Sequence, residues 1–142
     1  CRAGLNTWRG EGWTSCMTLR TVLLDLAQAM NREYPIIEEP DIPATHPDSR
    51  TYNKSLQFKT MEVAVLHTLQ HGRGVPDEFK CIYEEYYDMK AEELLSLAEK
   101  YAAADPEINL YVGIYEMRAT GLYKPLIEDL RNCLSSIRKT RS

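Results

Sequence analysis

Four prolines between Tyr34 and Ser49, at positions 35, 40, 43 and 47, limit what this chain can build more than any other stretch. Each removes an amide donor and disfavours helical backbone in the residue before it. The stretch must be an extended loop, and it carries two adjacent acids, Glu38 and Glu39, immediately before Pro40.

On the N-terminal side of the loop, Thr14 or Ser15 can cap a helix, because a hydroxyl accepts from the unpaired amides of a first turn. Met17, Val22, Leu23, Leu26, Ala27 and Met30 then recur at helical spacing as one buried face, which predicts a helix from about Cys16 to Arg32.

Beyond the loop, a helix is expected over Ser49 to Leu69, with Tyr52, Leu56, Met61, Val65 and Leu69 as apolar contacts and Gly72 placed to end it left-handed. Pro76-Asp77-Glu78 reads as another first turn, with acids at the positive end of the dipole and Phe79, Ile82, Tyr83 and Tyr86 as the inward stripe. Met89 to Ala104 extends or follows it. Asp105-Pro106-Glu107 predicts a helix to about Met117 with Ile108, Tyr111, Val112 and Tyr115 inward, broken by Gly121. Pro125 to Arg138 closes the chain. Strand signals are almost absent, so the expected fold is mainly α, about six helices with short connections.

At 142 residues the chain suffices for one domain with its own core, or part of one. Apolar residues at 44% and charged residues at 27% argue against disorder. A net charge of −4 provides no basic field for nucleic acid, and the basic end Arg138-Lys139-Thr140-Arg141 reads as a solvated helix terminus. No apolar run approaches the roughly 20 residues needed to span a bilayer, and no signal peptide is visible, so no membrane partner is expected. Cys1, Cys16, Cys81 and Cys133 are widely spaced and form no CxxC, which fits reduced thiols in the cytoplasm or nucleus. The first residue is not Met, which implies processing, truncation or a longer parent sequence.

A thiol is a useful nucleophile only when its thiolate is accessible and supported, and neither condition can be read from Cys1 alone. His67 and His71 are four apart, a spacing that puts two imidazoles on one helix face for metal, but no HExxH motif and no third ligand accompany them. Tyr83, Tyr86 and Tyr87 beside Glu84 and Glu85 read as core plus solvated face. Cys81 and Cys133 fall on or beside apolar stripes and read as structural. Gly72-Arg73-Gly74 lacks the strand and lysine-serine pair of a phosphate loop and reads as a turn.

Cys1 followed by Leu5-Asn6-Thr7-Trp8, Gly10 and Trp13, then Thr21-Val22-Leu23-Leu24-Asp25-Leu26, then the loop with Glu38-Glu39-Pro40, resembles the active-site region of ubiquitin-conjugating enzymes. The likeness is greatest to the large hybrid members, including those that carry inhibitor-of-apoptosis repeats. Ser49-Arg50-Thr51-Tyr52-Asn53 resembles the start of the helix after the family's crossover helix, and the last helix resembles the C-terminal addition of the large members.

This resemblance implies an α+β conjugating fold of which the chain is the C-terminal helical portion. Residues 1–104 would form the conjugating part and 105–142 a helical extension. It implies that Cys1 carries ubiquitin or a related modifier as a thioester and that Glu39 borders the site and orients the incoming lysine. It implies an activating enzyme and a ligase or substrate protein as partners, and no cofactor or metal. The family's first helix, four-stranded meander and asparagine-bearing motif precede the cysteine, so the N-terminal half of the domain is an implied partner as well. An oxyanion donor such as that asparagine is worth about 2.7–4 kcal/mol. Without that half, the apolar faces of the Cys16 and Tyr52 helices should be uncovered. Arg2-Ala3-Gly4 departs from the aliphatic residues that usually follow the cysteine, and the alternative reading is a non-catalytic helical interaction module related to conjugating domains.

Overall fold

The computed structural model describes residues 13–39, 41–72 and 75–141. Two compact units share the chain, Cys1–Ser49 and Arg50–Ser142.

In the first unit, α1 spans Leu19–Met30. It starts at Thr18, whose hydroxyl accepts from the Thr21 amide at 3.3 Å while the Thr21 hydroxyl accepts from the Thr18 amide at 3.3 Å. Two otherwise orphaned donors are thus satisfied reciprocally. This corrects the expected cap at Thr14 or Ser15: the Thr14 carbonyl instead closes a turn by accepting from the Met17 amide at 3.0 Å. At the other end the Asn31 side chain donates to the Ala27 carbonyl at 2.8 Å and ends the helix. The expected buried face is also corrected. Val22 and Leu26 are half-buried, but Leu23, Ala27 and Met30 are exposed together with Leu19 and Leu24, and no residue of α1 is buried.

All but the first residue of one helical run belongs to the second unit: α2 (Ser49–Lys59), a π-helical stretch (Thr60–His67) and α3 (Thr68–His71). As the sequence predicts, Gly72 ends it at φ 59°, a left-handed conformation that costs glycine little, and its amide donates to the Thr68 carbonyl at 2.8 Å. Phe58, Met61, Val65 and Leu66 are buried, so this helix, unlike α1, is covered.

Pro76 introduces a 3-10 turn at Asp77–Phe79 that runs into α4, Lys80–Ala104, so Met89–Ala104 extends the preceding helix rather than following it, in one helix of 25 residues. Ala91 and Ala98 face inward, with Tyr87, Leu94, Leu95 and Tyr101 against the same core. Phe79, Ile82 and Tyr86 do not join them and are exposed, which corrects the inward stripe read from the sequence. The helix has apolar residues on two faces, and the face with the small Ala91 and Ala98 is the one that packs. The Tyr87 hydroxyl donates to the Ala64 carbonyl at 3.2 Å, tying α4 to the π-helical stretch.

The largest correction follows Ala104. In place of a helix from Asp105 to Met117, Glu107–Val112 forms β1 and Met117–Leu122 forms β2, an antiparallel pair with Glu107 opposite Leu122 and Val112 opposite Met117. Ile108 and Val112 are buried and Leu110 half-buried, a period of two, while Tyr111 points outward. The local cap signal of Asp105-Pro106-Glu107 loses to pairing between two short segments that carry β-branched or aromatic residues. Gly121 lies in β2, paired with Ile108, and interrupts no helix.

The Tyr123 amide donates to the Pro106 carbonyl at 3.1 Å, closing the hairpin, and α5 runs from Tyr123 to Arg141. Tyr123, Leu126, Ile127, Leu130 and Leu134 are its buried stripe, at the spacing expected of a helix laid on a core. Tyr123 meets Phe58 edge-on, with ring centroids 5.0 Å apart. Arg131 pairs with Glu99 at 3.1 Å, and Arg138 with Asp88 at 2.9 Å and Glu92 at 3.2 Å, along the α4–α5 seam. Among the described residues the fold is mainly α with one small sheet.

Candidate active site

Cys1 and the Leu5-Asn6-Thr7-Trp8 segment lie outside the described residues, as does Pro40. The described part of the candidate site is Trp13, α1 and the loop as far as Glu39.

The loop is shaped by its own prolines. Pro35 opens a single 3-10 turn, Pro35–Glu38, where its missing amide costs nothing, and Ile36 in that turn is fully buried. Glu39 follows in extended backbone (φ −81°, ψ 125°), its amide donating to the Ile36 carbonyl at 3.1 Å and its carbonyl accepting from the Ile42 amide at 3.3 Å. The backbone at Glu39 is therefore held on both sides. Asp41 adopts φ 65°, a conformation that aspartate tolerates better than most residues.

The two adjacent acids are distinguished by their surroundings. Glu38 forms an ion pair with Arg32, just beyond the end of α1, which ties the loop to the helix. Glu39 is half-buried on a backbone fixed by two hydrogen bonds.

The other sequence candidates are dispersed. His67 and His71 have ring centroids 6.1 Å apart, and among the described residues no group of three or more His, Cys, Asp or Glu is placed to hold a metal ion. His71 lies at a cleft of about 400 Å³ lined by Leu69, Gly72, Val75, Lys80 and Tyr83. Cys16 and Cys81 are exposed, so Cys81 is not the buried structural residue its position suggested. Cys133 is half-buried, and burial, with Asp129 adding, pushes its thiol above the ordinary value, which disfavours the thiolate. None of the described helices is long and apolar enough to cross a membrane.

No protein-family profile matches the chain. Individual proteins do. Over 94 residues, 62% of this chain, it is 32% identical to ubiquitin-conjugating enzyme E2 Z of Xenopus tropicalis, 33% to that of Danio rerio and 31% to that of Homo sapiens. The chain is distantly similar to ubiquitin-conjugating enzymes. The aligned stretch covers 30%, 28% and 26% of those relatives, so it spans less than a third of their length. This similarity supports a domain of the conjugating type.

The 3-10 turn at Pro35–Glu38 corrects the wholly extended loop expected from the prolines, because proline's fixed φ also suits a first helical turn. Arg32 as partner of Glu38 was not foreseen. Six residues separate the two, a spacing meaningful only once the helix is known to stop before Arg32.

Proposed function

We propose that Cys1 accepts ubiquitin or a ubiquitin-like modifier as a thioester and passes it to a lysine, in a domain completed by an N-terminal half. The Cys1 thiolate attacks the thioester carbonyl joining the modifier to the activating enzyme's cysteine, and that thiolate leaves. A substrate amine, its proton taken up by a base, then attacks the Cys1 thioester. The isopeptide bond forms as the Cys1 thiolate departs. Glu39 orients the amine and favours its deprotonated form. The similarity to ubiquitin-conjugating enzymes over 94 residues carries this reading.

The exposed Leu19, Leu23, Leu24 and Met30 of α1 support a larger domain in which the N-terminal half covers that helix. Residues 1–104 then belong to the conjugating domain and 105–142 to its extension, in a protein of the large-enzyme type working in the cytoplasm or nucleus with a ligase or directly on substrates.

The test is a thioester assay on the parent protein with activating enzyme, ATP and modifier. The expected result is an adduct cleaved by reductant and lost in Cys1→Ala, with Glu39→Gln forming it normally but discharging it to lysine about 10²-fold more slowly. An adduct that survives Cys1→Ala sinks the proposal. The second reading, a non-catalytic interaction module, is favoured by the independent core of Arg50–Ser142. It prevails if no thioester forms and partner binding persists in Cys1→Ser.

A further inference from the structure

We propose that the first half of α4 is a pairing surface for a second copy of this chain, the two helices lying parallel. Phe79, at the N-cap of α4, and Ile82, Tyr86 and Met89 within it follow one another at intervals of three, four and three residues, the spacing of the seam in a two-stranded coil. All four are large and apolar, yet they are 55%, 59%, 52% and 72% exposed. They lie across the helix from the buried Ala91 and Ala98, on the face that does not pack into the core.

The continuation of this face is informative. The next positions at the same spacing are Glu93, Ser96 and Lys100, all exposed and polar. A solvated face would be polar throughout, as its second half is. The apolar character is confined to a segment about 15 Å long at the helical rise.

Charge selects the occupant and its direction. Beside the seam, Glu85 and Lys90 hold the flanking positions that face each other across a parallel pair, each glutamate meeting the partner copy's lysine one turn on. Lys90 already donates to Glu93 at 2.6 Å, and its ammonium has donors for a second carboxylate. An antiparallel pair centred on the same seam would instead set Glu85 against its own symmetry copy, with like charges opposed.

The four side chains offer roughly 400–500 Å² per copy, about half of what each partner contributes to a standard stable interface. The pairing is accordingly weak. Against that, α4 is already ordered by α5 and by the Tyr87–Ala64 hydrogen bond, so association need not fold it. This surface is independent of Cys1 and stands whether or not the conjugating reading does.

Sedimentation velocity on the full chain, from about 1 µM to about 1 mM, tests the pairing. The expected weight-average mass rises from monomer towards dimer across that range. Ile82→Glu, at an exposed position, should keep the helical circular dichroism and remain monomeric. Glu85→Lys and Lys90→Glu should each weaken the dimer about 5- to 10-fold, and the double exchange should recover it. A monomer at every concentration, or a dimer untouched by Ile82→Glu, overturns the proposal. A double exchange no better than either single one overturns the parallel arrangement.

Discussion

Tyr123 links the core to the charge state of the protein. Among the described residues it is the largest side chain buried to near completion, and its burial, with Tyr101 and Asp105 adding, pushes the phenol up to about 12 from an ordinary value of 10.0. In the unfolded chain the phenol loses its proton near its ordinary value, while the folded chain keeps it. Between those two values the unfolded state binds fewer protons, so stability falls as pH rises. The contribution is complete below about pH 10 and lost by about pH 12. Urea unfolding of the wild type and Tyr123→Phe across this window should show the wild type losing about 1–2 kcal/mol more than the variant. Tyr83 and Tyr87, also shifted upward by burial, remain in both proteins and cancel in the difference. Equal slopes would mean that the phenol titrates alike in both states.

At the scale of elements, the approach of β2 to α2 depends on one missing carbon. A Cβ on Gly121 would lie 2.1 Å from Cζ and 2.4 Å from Cε1 of Phe58, a ring itself buried against Tyr123. The Phe58 ring is only 2% exposed, so any retreat displaces its buried neighbours. Gly121→Ala should therefore destabilise the protein by about 1–3 kcal/mol, read as a lower denaturation midpoint, although alanine is otherwise the better strand former. A midpoint unchanged or raised would mean that the hairpin can shift away from α2. The same glycine shows why part of the fold was hidden in the sequence. As a local signal it reads as a helix breaker, and Asp105-Pro106-Glu107 reads as a helix start. Both readings ignore a pairing partner ten or more residues away. The long helices were legible because their periodicity and their left-handed Gly72 terminus are contained within each segment. The wrong face of α4 had a different cause: apolar residues on two sides give two admissible stripes, and only packing against α5 decides between them. In the candidate site, Cys1 lies outside the described residues, and the pairing of Glu38 with Arg32 became readable only with the course of the loop.

For the whole molecule, the two units differ in how they are held. No residue of α1 is buried, while α4, α5, the hairpin and the helical run from Ser49 share one core. Amide hydrogen exchange should therefore be fastest, among the helices, in α1 and slowest in the central turns of α4 and α5, around Ala98 and Leu130. Protection of α1 equal to that of α5 would show that α1 is stabilised by contacts other than burial. In the parent protein, protection of α1 should rise if an N-terminal half covers Leu23 and Met30.

The bond between the Tyr123 amide and the Pro106 carbonyl has a consequence for chain entropy. It pinches together the two ends of the segment that joins α4 to α5, so the distance the helices must bridge is set at the base of the hairpin rather than by its length. Residues added at the Gly113–Tyr115 tip would lengthen a loop already closed, at a penalty that grows only with the logarithm of length. The connection between α4 and α5 can thus accept insertions at its far end while keeping the helices in register.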